Sequence, residues 1–146
     1  MKTFSAEIID YIKGERVGVL AVQMLDNSPH AATVHFAYSE NSTMFLFETY
    51  RPYRKCEALF GRDVSKASFV IGSTEANMKT LQIDGEARLL KENERELFET
   101  VYVGKFPEKK KKSEDPKFVF FAFIPTWWRF TDWTRPEGKT IISSDE

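Results

Sequence analysis

Residues 80–90 read Thr80-Leu-Gln-Ile-Asp-Gly-Glu-Ala-Arg-Leu-Leu90, and their alternation decides the fold class. In an extended chain Leu81, Ile83, Ala87 and Leu89 fall on one side, and Gln82, Asp84, Glu86 and Arg88 on the other. That is a strand covering a core with one face and meeting water with the other. Working outward, Ser65 to Gly72 reads as its neighbour in sequence. Ala31 to Ser39 alternates in the same way, with Val34, Phe36 and Tyr38 opposed to Thr33, His35 and Ala37. Val17 to Met24 is apolar at nearly every position, which predicts a strand buried on both faces. Met44 to Thr49, Lys117 to Ile124 and Trp127 to Trp133 complete the set. Residues 25–29 and 40–42 carry turn chemistry.

Three helices punctuate these strands. Residues 4–13 place Phe4, Ile8, Tyr11 and Ile12 on one face, with Gly14 where a C-terminal cap belongs. A second helix begins near Pro52 and turns Cys56, Leu59 and Phe60 inward. A third runs from about Glu94 to Tyr102 and stops at Gly104. Residues 108–115 (EKKKKSED) balance four lysines with three acids and read as a solvated loop. Short strands with tight turns and few helices predict a mainly β protein: an antiparallel β-barrel with flanking helices, one domain over residues 1–146.

The chain has 146 residues, 42% hydrophobic and 14% aromatic, with thirteen Phe. A domain of this size hides roughly 70% of its unfolded surface, enough for a core without disulfides or a structural metal. A formal charge of −1 gives no global field to gather nucleic acid or an anionic membrane. The one cysteine, Cys56, excludes an internal disulfide framework and any multi-cysteine metal site, and fits a reducing compartment. Lys2, Glu7, Asp10 and Lys13 interrupt any signal-peptide core, and the apolar run 118–124 is too short to span a bilayer. A soluble cytoplasmic protein is expected.

The stretch Glu48-Thr-Tyr-Arg-Pro-Tyr-Arg-Lys55 carries most of the chemical information. It joins a strand end to a helix start and gathers Arg51, Arg54 and Lys55 there. Cations are unfavourable at that end by roughly 0.3–1 kcal/mol each, unless an anion docks among them. A phosphate would reverse the sign through charge-assisted bonds. Equally, the three side chains extend into water or pair with Glu48 and Glu57. His30 and His35 point to opposite faces of an extended segment and share no metal. The aromatic run Phe118, Phe120, Phe121, Phe123 reads as core or dimer interface.

The order of these features resembles the pyridoxamine 5′-phosphate oxidase-like family of FMN-binding split barrels, in its general-stress-protein branch. Pro29 precedes Ala31-Ala-Thr-Val-His-Phe36, and Phe45-Leu-Phe-Glu-Thr49 ends in Thr. Arg54-Lys55 follows five and six residues later, and Leu81-Gln-Ile-Asp-Gly85 supplies Gln before Gly. The resemblance implies FMN as cofactor, with Arg54, Lys55 and Thr49 on its phosphate. Thr33, Val34 and His35 would offer mainly backbone groups to the isoalloxazine, and Gln82 a side-chain bond. Trp127 or Trp128, with Trp128 preferred, would cover the ring from a partner in a homodimer. Two positions depart from the pattern. Tyr53 stands where Ser is common. Arg129-Phe-Thr-Asp132 lacks the His of the Arg-Leu-His-Asp segment, so vitamin B6 oxidation is not expected.

The expected function is therefore an FMN-dependent oxidoreductase acting on a small molecule, with no catalytic side chain assigned because the cofactor carries the redox chemistry. The alternative is a non-catalytic flavin- or haem-binding stress or sensor protein on the same scaffold.

Overall fold

The computed structural model describes residues 1–145. Helix α1 (Ala6–Gly14) is capped by Ser5, whose Oγ accepts the Ile8 N–H at 3.4 Å, and its Ile8 and Ile12 are fully buried. Gly14 is its last residue, not a cap. Glu15 is already extended, so the chain runs straight into β1 (Val17–Gln23). Next come β2 (Pro29–His35), β3 (Ala37–Ser39), β4 (Met44–Tyr50), α2 (Lys55–Gly61), β5 (Ser65–Ile71) and β6 (Lys79–Leu89). The rest is α3 (Arg95–Phe98), α4 (Lys110–Ser113), β7 (Phe118–Asp132) and β8 (Thr140–Ser143).

All eight strands form one antiparallel sheet in the order β2-β1-β5-β6-β7-β4-β3, with β8 beside the far half of β7. β2 and β3 are separated only by Phe36, so the two ends of the sheet are consecutive in the chain. The sheet must curl on itself, and β2 returns against β4. The barrel is filled by phenyl rings. Phe69 is fully buried, with the rings of Phe36, Phe45, Phe47 and Phe123 at 5.2, 5.5, 5.2 and 6.1 Å. Gly18 is the reason that ring fits, since a Cβ there would lie 2.6 Å from it. A second cluster forms outside the barrel wall. Phe98, Tyr102 and Phe106, at four-residue spacing, pack on Ala37, Met44, Leu46 and Ala122.

Several expectations change. β1 is buried on one face only, because its other face (Val17, Val19, Ala21) lies on the outside of the curl. The two C-terminal strands are a single 15-residue strand. Pro125 is accommodated at a register shift opposite Asp84 and Gly85, where proline is tolerated. α2 begins at Lys55, three residues after Pro52, and Phe60 is 49% exposed. The third helix is a succession of 3-10 (Glu92–Glu94), α (Arg95–Phe98) and π (Glu99–Val103) turns. Residues 107–113 form short helical turns in place of a loop. Lys109 packs there over Tyr102 and Phe106, and Ser113 is buried.

Candidate functional site: a seam between two strand edges

The ladder between β3 and β4 runs from Ser39–Met44 to Ala37–Leu46 and stops. Continued in the same register, it would set His35 opposite Glu48 and Thr33 opposite Tyr50. β2 pairs with β1 instead, and no ladder joins it to β4. The barrel is therefore parted along one seam.

Hydrogen-bond parity shows what faces that seam. Met24 N–H donates to Ser28 O and Phe36 N–H to Arg16 O, so the even-numbered residues of β2 bond to β1. The N–H and C=O groups of Ala31, Thr33 and His35 then point away from β1, along the free edge. Across the seam, Arg51 N–H donates to Lys117 O, so the odd residues of β4 bond to β7. Glu48 and Tyr50 turn their backbone groups outward. Two edges with unspent donors and acceptors thus face each other, except at the Tyr50 carbonyl, which accepts from the Tyr53 N–H and the Cys56 thiol. Val34 does not take part in this way: its backbone belongs to the β1 ladder, and its side chain is buried in the core.

At the end of β4 the side chains become unusual. Thr49 is 4% exposed; its Oγ1 has no well-formed hydrogen bond, and its nearest polar neighbour is the Cys56 thiol, whose pKa it lowers against the effect of burial. Lys55 is 5% exposed and forms no ion pair with any described carboxylate. Its ammonium lies 5.0 Å from the Tyr53 ring, and burial pulls its pKa below the ordinary lysine value. Burial also pushes the neighbouring Cys56 thiol up, which keeps it protonated. Arg54 is exposed beside this group. Arg51 is not part of it, since its guanidinium lies 4.7 Å over Phe60. The amides of Tyr53, Cys56 and Glu57 bond back to Tyr50, Tyr53 and Arg54 carbonyls. An anion at this helix start would therefore meet side chains more than helix amides.

Glu48 was read from sequence only as a possible ion-pair partner, and the structure gives it another setting. Its side chain is half-buried on the outer side of β4, with Oε2 buried and unpartnered. Burial raises its pKa, while Lys109 and Lys112 oppose the rise. His35 is half-buried against Phe106, with ring centroids 5.5 Å apart. Burial, and then Lys109 and Arg16, lower its pKa and favour the neutral imidazole. Only the tertiary contact of residues 99–113 with β2 and β4 creates this environment.

Gln82 and Trp128 lie elsewhere. Gln82 is exposed on the outer face, in a cross-strand row Thr33–Val19–Val70–Gln82–Arg129. Three strand spacings, about 14 Å, separate it from Thr33. Trp128 points into the barrel, 1% exposed, with its indole N–H donating to Lys2 O at 2.8 Å. It cannot cover a ligand from outside. Trp127 is the outward-facing one: its N–H donates to Asp145 Oδ2, and Arg129 lies 5.3 Å over its ring.

An antiparallel barrel parted along one seam defines the split β-barrel class. The sequence profile described as pyridoxamine 5′-phosphate oxidase matches residues 4–132, and the chain belongs to that family. No curated protein matches the chain by sequence. Among solved structures, a haem-binding protein from Mycobacterium smegmatis superposes with a TM-score of 0.74 at 14% identity. The match covers 99% of this chain and 59% of that one. A protein from Clostridium acetobutylicum related to general stress protein 26 gives 0.67 at 14% identity, covering 95% and 93%. General stress protein 26 from Bacillus anthracis gives 0.63 at 20% identity, covering 85% and 91%. At these identities the likeness is one of fold. No helix among the described residues is long and apolar enough to cross a membrane.

Proposed function

We propose that this protein binds FMN in the seam, as one domain of a homodimer, and acts as a flavin-dependent oxidoreductase on a small molecule. One observation carries the reading: at the end of β4 the buried Thr49 Oγ1 has no well-formed hydrogen bond, and the largely buried Lys55, six residues on, meets the Tyr53 ring and no described carboxylate. A buried unpaired cation and an orphaned hydroxyl each cost free energy, and a phosphate would satisfy both. Arg54 would add an exposed charge-assisted bond. The free edge at Thr33 and His35 would supply the directed donors and acceptors that a flavin ring edge requires. Bound flavin would supply the redox chemistry, and the chain's own part is to hold, orient and shield it.

FMN is favoured over FAD because one phosphate-sized cationic cluster is present and no dinucleotide fingerprint is found in the sequence. Titration of flavin-free protein should give the tighter constant for FMN; tighter binding of FAD defeats this choice. Gln82 and Trp127 lie too far along the outer face to meet a flavin held by their own subunit, so the partner's copies would complete the site. Sedimentation at micromolar concentration is expected to give a dimer, and a monomer there removes the shared site.

A second reading rests on His35. A half-buried imidazole that burial keeps neutral would hold a haem iron, and Lys109 beside it would meet a propionate, while Arg16 is already paired with Glu108 at 3.0 Å. The visible spectrum of purified protein separates the two, by flavin bands or by a haem band that His35→Ala abolishes.

A further inference from the structure

A cleft of about 400 Å³ lies between the C-terminal end of α2, the end of β6 and the start of β7, bordering the end of β4 where Phe118 packs on Tyr50. Its apolar lining is half aromatic, from Phe60, Phe118 and Phe120, and half aliphatic, from Leu89, Leu90 and Val119, and Phe60 is 49% exposed. Each ring carries a cation on its face. Arg51 lies 4.7 Å from the Phe60 centroid, Arg95 4.5 Å from Phe120 and Lys112 5.4 Å from Phe118. Lys91 adds a further cation to the lining, and Glu92 is the one acid in it. Arg95 is partly committed, to Glu99 at 3.3 Å and to the Ser113 carbonyl. Arg51 and Lys91 form no ion pair with any described carboxylate.

We propose that this cleft is a second binding site, for a small planar aromatic carboxylate. The occupant follows from the lining. Ligand sites combine an apolar surface with a few charged groups, and this volume lies at the small end of their range. The apolar lining, aliphatic side chains and phenyl edges together, takes a ring. The excess positive charge selects an anion, and an arginine matches a carboxylate's two oxygens. A neutral aromatic would gain the floor but not the charge, and a small aliphatic anion the reverse. The site is independent of the flavin reading, because none of its residues belongs to the seam or the phosphate cradle.

The test uses 2-naphthoate and its neutral counterpart 2-naphthalenemethanol, titrated calorimetrically into the full chain without added flavin. Naphthoate should bind at least tenfold tighter than the alcohol. The double variant Arg51→Gln/Lys91→Gln should lose most of that difference, whereas Lys66→Gln on the far outer face should keep it. Both substituted residues are exposed, so the fold should survive, and an unchanged melting temperature verifies it. Should the double variant melt early, Lys91→Gln alone must still weaken naphthoate about threefold. Equal binding of acid and alcohol, or naphthoate affinity indifferent to these charges, overturns the proposal. Failure of FMN to bind would leave this result untouched.

Discussion

Replacing Arg54 and Lys55 together by Ala is expected to lower FMN affinity by two or more orders of magnitude while leaving the flavin-free fold intact. Each cation contributes a charge-assisted contact of about 1.5–3 kcal/mol, and every 1.4 kcal/mol or so is a factor of ten. Two contacts, only partly additive, give the stated loss. The apo-protein behaves differently because Lys55 is buried without a counter-charge, so its removal relieves a desolvation penalty. Arg54 is exposed and contributes little. Lys55→Met keeps the aliphatic stem and should raise the apo melting temperature. The pH dependence has a definite sign. Lys55's folded pKa lies below its unfolded value, so in the alkaline window between them the unfolded chain holds more protons. Wild-type stability gains an increment as pH rises through that window, and Lys55→Met lacks it. Unchanged FMN affinity in the double variant would remove the phosphate cradle from the proposal.

Phe69→Ala is expected to cost about 3–5 kcal/mol, the range for truncating a buried aromatic. A domain of this kind has about 5–15 kcal/mol in total, so the variant should be marginal or unfolded at 37 °C. Phe69 contacts four rings in tilted or edge-to-face geometry and fills the space that Gly18 leaves open. No neighbour can collapse into the void without giving up its own ring contacts. Phe60→Ala is the control, exposed and outside both clusters, and should change stability by about 0.5 kcal/mol or less. Urea midpoints for the pair decide the matter. A loss below about 1 kcal/mol at Phe69 would contradict a barrel packed around that ring.

What was legible in the sequence was whatever depends on one strand having one wet face. Residues 80–89 alternate in burial as their side chains alternate in polarity, and Val34 and Phe36 share the core as expected. The failures have a common cause, which is that the side of an element facing the core depends on its neighbours. Val17–Val22 is apolar throughout although only its even-numbered residues are buried, so its apolar outer face does not mean that a second layer covers it. Phe60 and Trp128 were placed by spacing and by family pattern, and each lies on the face opposite to the one expected. The two strands expected at 117–124 and 127–133 are continuous through Pro125, because the partner strand shifts register at Gly85, where a Cβ would lie 2.2 Å from the Ile124 carbonyl oxygen.

By itself, then, the amino-acid order determined an antiparallel barrel, the start of α1 and α2 to within a few residues, and the cations Arg54 and Lys55 at a helix start. These follow from local periodicity and from residue types at short range, whereas Thr49 was implied only by the family resemblance and the turns at 107–113 read as a loop. The seam was decided only in three dimensions. It exists because β2 spends its even-numbered backbone groups on β1 and leaves Thr33 and His35 facing Glu48 and Tyr50 without a ladder. Likewise, nothing local in the sequence buries Lys55, orphans Thr49 Oγ1 or lays residues 99–113 against His35 and Glu48. Each of those results from long-range contact, where the low dielectric of the packed chain gives an ordinary side chain an unsatisfied charge or hydrogen bond.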